Sequence, residues 1–292
     1  MIDEPIDIVI PWLNPTEKWY STYKLYCENE DPGRIRDLNT IRPAIKSIIK
    51  NLPWIRYIWL IVCDNEQIPT DWEELKNEKI KFIFHKDIIP QKNLPTFNSI
   101  HIAVYTHNIE ELSENFIWSN DDIIFRNFIP KEFFFKDNKS VHRNNNCIEH
   151  KDTHDNTYAE ILNSTATFIS KICGKRVLSL DNHIAIPIKK SLTTFIYMKY
   201  KNDIEDSYIN SKIRKPYNIN TIETAFTLEE YYNKCLYGIS KNINYDVVWL
   251  SDKTTEKEIN EKLNKNDIIC INDGEGLVNR AEEIANYIKN IL

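Results

Sequence analysis

Apolar positions in the first half of the chain fall into two alternating patterns: short β-branched runs, and stretches where they recur every three to four residues. Residues 6–10 form the first run, closed by Pro11, and read as a buried strand that delivers Trp12, Leu13 and Asn14 to its carboxyl end. Thr40 is placed to cap a helix that begins near Pro43 and continues through residues 44–49, since proline is tolerated in a first helical turn. Residues 57–62 and 80–84 are the next strands, around a segment holding Pro69 and Trp72. Residues 100–106 read as helix, and 116–118 as a short strand that runs straight into Asn120, Asp121 and Asp122. The second half is more helical, at 158–172, 192–200 and 228–237. Two strands return at 245–250 and 267–271 around a helix at 256–263, and an amphipathic helix at 277–291 closes the chain. Strands separated by helices predict a mainly parallel sheet covered on both faces, with its ligand at the carboxyl ends of the strands. Residues 136–156 are polar and rich in Asn, His and Asp, so they read as a loop or lid. That stretch divides an α/β half at 1–135 from a helical half at 157–292 that returns two strands to the same core.

Composition narrows the class. With 292 residues, 42% hydrophobic and 27% charged, the chain can bury a substantial core and is neither disordered nor a coiled-coil rod. A net charge of −6 gives no basic footprint for nucleic acid. Only 5 glycines occur; there is no glycine-rich phosphate loop, and the Gly274-Glu275-Gly276 start of a dinucleotide fingerprint has Asn279 in place of its third glycine. The longest apolar runs are strand-sized, and Asp3 and Glu4 stand where a signal peptide would be positive. Six scattered cysteines without a C-x-x-C suit thiols in a reducing compartment.

Four places could carry chemistry. Asp121 and Asp122 leave an apolar strand side by side, which is costly unless a cation compensates them. Mg²⁺ or Mn²⁺ would do so and would also take phosphate oxygens; the alternative is a turn in which these side chains satisfy backbone amides. Residues 268–271 likewise deliver Asn272 and Asp273, either a second contribution to the same ion or a plain turn with Gly274. Asp7 lies on the first strand, with Asn14 past its end. His183, ahead of a short apolar run, is either a proton acceptor near neutrality or a packed, capping histidine. Arg214 could clamp a phosphate or simply face solvent in a basic turn. His142, Cys147, His150 and His154 have spacings that resemble part of a zinc site, against a solvated loop as the alternative.

Together these stretches resemble the Stealth family of hexose-1-phosphate transferases. Residues 6–12, I-D-I-V-I-P-W, are similar to the family's first signature region. The second resembles Arg36-Asp37 with Arg42 and Ser47, the L-P-W-I-R string at 52–56, L-P-T-F-N-S at 94–99, and residues 112–122 ending in N-D-D. Residues 163–189, including His183 and Pro187, resemble the third region, and Cys270-Ile271-Asn272-Asp273 the fourth. The family's first region usually continues W-V-D-G, whereas this chain reads Trp12-Leu13-Asn14-Pro15.

The resemblance implies an α/β fold: a Rossmann-like, glycosyltransferase-A-like, mainly parallel sheet flanked by helices, whose first half binds a nucleotide-sugar. It implies transfer of an intact sugar-1-phosphate from a UDP-linked or similar donor to a glycan hydroxyl, dependent on Mg²⁺ or Mn²⁺. Asp121, Asp122, Asn272 and Asp273 would serve the metal. His183 or Asp37 would activate the acceptor, Arg214 and Arg36 would hold phosphate, and Asp7, Trp12, Asn14, Asn98, Ser99 and Asn120 would contact substrate. A cytoplasmic place at the inner membrane face, with peripheral association to the membrane or a capsule-assembly complex, is the implied location. A metal-dependent glycosyltransferase and an inactive carbohydrate-binding relative are the competing readings.

Overall fold

The computed structural model describes residues 4–27, 33, 35–143, 147–180, 183–238, 242–273 and 276–291. Asp3, residues 144–146 of the polar stretch, Asp181 and Asn182 of the histidine segment, and Gly274 and Glu275 lie outside the described residues. The strands are β1 (Ile6–Pro11), β2 (Ile55–Val62), β3 (Ile80–Phe84), β4 (Asn115–Trp118), β5 (Ile123–Phe125), β6 (Phe135–Lys136), β7 (Lys139–His142), β8 (Ile148–Glu149), β9 (Val177–Leu178), β10 (Ile186–Lys189), β11 (Leu236–Tyr237), β12 (Tyr245–Leu250) and β13 (Ile268–Asp273). The helices are α1 (Glu17–Lys24), α2 (Ile41–Asn51), α3 (His85–Ile88), α4 (Ser99–Val104), α5 (Thr157–Cys173), α6 (Lys190–Lys199), α7 (Lys201–Asp206), α8 (Thr221–Tyr231), α9 (Glu256–Lys265) and α10 (Ala281–Ile291).

β1 sits at the centre of a five-stranded sheet ordered β10-β4-β1-β2-β3. β4, β1, β2 and β3 run parallel, and β10 adds an antiparallel edge beside β4. The expected mainly parallel α/β sheet is therefore what forms. Its central strand is apolar on both sides because both faces are covered. Ile8 and Ile10 pack with Ile41, Ile45 and Ile48 of α2, while Val9, with Trp59 and Ile61, packs into the layer built from α4, α5, α6 and α8.

The late strands do not extend this sheet. β12 and β13 pair in parallel, and β13 pairs antiparallel with β5, giving a separate sheet ordered β12-β13-β5. Ile259, Leu263, Ile284 and Ile288 of α9 and α10 cover it. β5, unforeseen in the sequence because only three residues separate the acids from Arg126, links the two sheets. The chain leaves the carboxyl end of β4, turns through residues 119–122, and enters β5. Because β5 runs against β13, that turn also abuts the carboxyl end of β13, where the Ile271 amide donates to the Asp122 carbonyl at 2.9 Å.

Three local expectations change. Thr40 is already helical (φ −84°, ψ −31°), so its carbonyl accepts the Ala44 amide while its hydroxyl makes no cap bond. The helix expected at 228–237 instead starts at Thr221, where Asn220 caps the Ile222 and Glu223 amides, and ends before Asn233, whose φ is 53°. The chain then forms β11 against β7. Residues 136–142 are not a loop: β6 and β7 form a hairpin whose two turn residues, Asp137 and Asn138, both have positive φ, the requirement of a tight two-residue turn. Ser140, Val141 and His142 of that hairpin are buried. Among the described residues, no helix is long and apolar enough to cross a membrane.

Candidate active site

The turn between β4 and β5 holds Asp121 and Asp122 where the two sheets meet. Asp122 Oδ2 accepts from the Cys270 thiol at 3.3 Å and from the Asn272 amide at 3.4 Å, both neutral donors at long range. Asp122 Oδ1 is buried and, among the described residues, takes no hydrogen bond. Burial pushes both carboxyls well above the ordinary carboxylate range, helped at Asp121 by the charge of Asp122 and then of Asp37. Asp37 reaches this group from the loop before α2, with its Oδ1 accepting the Asn39 amide at 2.7 Å. Asn120 leaves β4 beside them, its carbonyl accepting from the Ser119 hydroxyl at 3.2 Å.

His183 completes the centre. Its Nδ1 lies 3.4 Å from the Asn272 amide nitrogen, so one side chain bridges the imidazole and Asp122. With the amide donating, Nδ1 carries the lone pair. Burial and then the nearby Arg214 charge lower the histidine below its usual range, keeping it neutral and able to accept a proton. His183 also holds a left-handed backbone, φ 46°, a conformation that marks a constrained residue. Arg214 donates to the Ser99 hydroxyl at 2.7 Å. Its segment is fixed from behind by Asn218, whose side chain accepts from Asn98 at 2.9 Å and from the Lys215 amide at 2.8 Å.

Several residues expected at the site are committed elsewhere. Asp7 is wholly buried and receives two bonds from Arg56, at 2.9 and 2.7 Å, one from the Trp59 indole at 3.0 Å and one from the Ser113 amide at 2.9 Å. It fastens the sheet and has no surface for substrate. Asn98 is wholly buried too, capping α4 through the Ile100 amide. Trp12 is covered, stacked on Trp72 at 5.5 Å. Asn14 exchanges bonds of 2.8 and 2.9 Å with Gln67, which ties down the loop after β1. Arg36 and Asp273 take each other: the guanidinium donates to both carboxylate oxygens, at 2.8 and 3.3 Å, and to the Leu277 carbonyl at 2.8 Å. Arg36 is thus occupied rather than free for phosphate, and Asp273 is neutralised without a metal.

A divalent cation suits the remaining acids. The orphaned Asp122 oxygen and the raised, adjacent carboxyls are what an added positive charge would relieve. Among the described residues, no three His, Cys, Asp or Glu side chains form a ready cage. Mg²⁺ commonly takes one or two carboxylates and completes its shell with water and substrate phosphate. The histidines of the zinc-like quartet have other partners: His142 lies between Glu229 and Glu230, His150 meets Asn163 at 2.8 Å, and His154 meets Glu160 at 2.6 Å.

Sequence reasoning missed Cys270 and Asn218. Cys270 alternates with Asn272 on β13, so the period of two places both on the face of Asp122 once the strand is recognised. Asn218 carries no local signal, because its partners Asn98 and Ser211 meet it only in the folded chain.

The family description "Stealth protein CR2, conserved region 2" matches residues 34–143. The chain is 32% identical over 291 residues to a capsular polysaccharide phosphotransferase, fcs1, of Haemophilus influenzae, covering 92% of this chain and 78% of that protein. It is 30% identical over 230 residues to a capsular polysaccharide phosphotransferase of Actinobacillus suis, covering 74% of this chain and 61% of the relative. Among solved structures, the galactosyltransferase LgtC in complex with donor and acceptor sugar analogs superposes with a TM-score of 0.41 at 11% identity, over 96% of this chain and 95% of that one, a likeness too loose to carry an argument.

Proposed function

The chain belongs to the Stealth family, and from that premise we propose that it transfers an intact sugar-1-phosphate from a nucleotide-diphosphate sugar to a sugar hydroxyl of a glycan, releasing a nucleoside monophosphate. The observation that carries this reading is the meeting of Asp121, Asp122, Asn272, His183 and Arg214 where β4 and β13 end. The acceptor oxygen attacks the phosphorus next to the sugar, a P–O bond to the nucleotide breaks, and the bond at the anomeric carbon is never touched. Asp121 and Asp122 would hold Mg²⁺ or Mn²⁺, which supplies charge neutralisation for a pyrophosphate. Arg214, steadied by Ser99, faces the same task for the equatorial oxygens. His183 takes the acceptor proton at Nδ1, once the hydroxyl displaces the loose 3.4 Å contact with Asn272. Asn272 then still orients Asp122. Asp37, close to Asp121, is the second group able to take that proton.

The products test the reading. Incubation with a panel of nucleotide-sugars, an acceptor glycan and Mg²⁺ or Mn²⁺ should release nucleoside monophosphate and give a phosphodiester phosphorus signal in the glycan. Release of a nucleoside diphosphate with no phosphorus in the product would replace phosphate transfer by glycosyl transfer.

A further inference from the structure

β12 alternates regularly along its length. Val247 points into the core under the central sheet, while Val248 and Leu250 point the other way, toward α9 and α10. Trp249 therefore shares the Val247 face. Its register partner on β13 is Asn272, the amide that meets both Asp122 and His183. A tryptophan on a core-facing position is ordinarily covered, yet Trp249 is 56% exposed. Its ring meets the His183 imidazole edge to face, with centroids 4.6 Å apart and planes at 81°. At this end of the strand the core has given way to the site, and the indole stands on the wall of that opening.

We propose that Trp249 forms an acceptor subsite: its indole face receives the C–H face of the pyranose ring whose hydroxyl is presented to His183. An aromatic body with an open face suits a ring that is polar at its rim and weakly apolar on its faces. The donor nucleobase is the rival occupant. Trp249 touches His183, where the acceptor proton goes, and this favours the acceptor. The inference rests on the transfer reaction proposed above, and its test separates the two.

Trp249→Ala and Trp249→Phe would be assayed at saturating donor with the acceptor glycan varied. Trp249→Ala should raise the acceptor KM about 10-fold, more than it changes kcat or the donor KM, and Trp249→Phe should recover most of the loss. An unchanged acceptor KM, or a rise in the donor KM instead, overturns the subsite. A second arm needs no turnover: methyl glycosides of hexoses and N-acetylhexosamines are titrated into the protein without donor while tryptophan fluorescence is followed. A saturable response in the natural protein that disappears in Trp249→Phe supports the subsite even where no sugar phosphate is transferred. The same response in both proteins, or none in either, counts against it.

Discussion

Glu229 and Glu230 are shielded from solvent, as in large part are Asp121 and Asp122, but the two acidic clusters are completed in opposite ways. His142 lies between the glutamates, 3.4 Å from Glu229 and 3.3 Å from Glu230, and stacks on Phe226 with ring centroids 3.8 Å apart. The Ser140 hydroxyl adds a 2.5 Å bond to Glu229. Burial works against a charged imidazole there, but bonds with Cys235, Glu229 and Glu230 win and raise His142 to about 10. The aspartates instead have a thiol, an amide and backbone groups around them and, among the described residues, one oxygen with no partner. A buried carboxylate supplied with its own cation belongs to the scaffold. One left short of positive charge is stable only when something else brings that charge, and it is such a place that a metal or phosphate ligand can occupy.

The largest effect should come from removing the Asp122 charge. Asp122→Asn should lower transfer by more than about 10³-fold while the thermal midpoint holds or rises, because the amide no longer needs a cation. Nucleoside monophosphate release and a melting curve measure both, and wild-type turnover in this variant would take Asp122 out of the mechanism. The compensated cluster should respond the other way. His142→Ala strands two carboxylates and should cost about 3–5 kcal/mol of unfolding free energy, read from a urea titration, with little change in the rate of the protein that remains folded. A loss below about 1 kcal/mol would put the cluster on the same footing as a surface ion pair.

The gentlest probe is pH. Below about 6.5 His142 is protonated in the folded and unfolded chain alike, so its stabilisation is complete. Between there and about 10 only the folded chain keeps the proton, and stability falls with rising pH by at most about 1.4 kcal/mol per unit. Unfolding free energies measured across that window should slope downward in the natural protein and lose that slope in His142→Ala. Parallel profiles would show that the imidazole is not charged in the fold.

Some of this was written in the order of residues and some was not. The β-branched runs at β1, β2 and β3 and the acids directly after β4 were legible, because strand periodicity and the cost of adjacent carboxylates are local properties. The β6–β7 hairpin was legible in principle from Asp137-Asn138, but polar composition hid it. Asp7, Asn98 and Asp273 read as ligand groups from residue type, and each is engaged by a protein partner. Their partners lie far along the chain, 49 residues away for Arg56, 120 for Asn218 and 237 for Arg36. Residue type tells that a carboxylate needs compensation, not which group provides it.

By itself, the order of residues determined an alternating α/β chain with acids at a strand end, since burial and spacing act within a few residues. Only the tertiary structure decided which acids would find no cation among the described residues. That outcome depends on the antiparallel docking of β5 on β13, which brings Asp122 to Asn272 and His183, and on long-range ion pairs that absorb Asp7 and Asp273. Electrostatic compensation is a property of three-dimensional neighbours, and the neighbours exist only once the sheets have met.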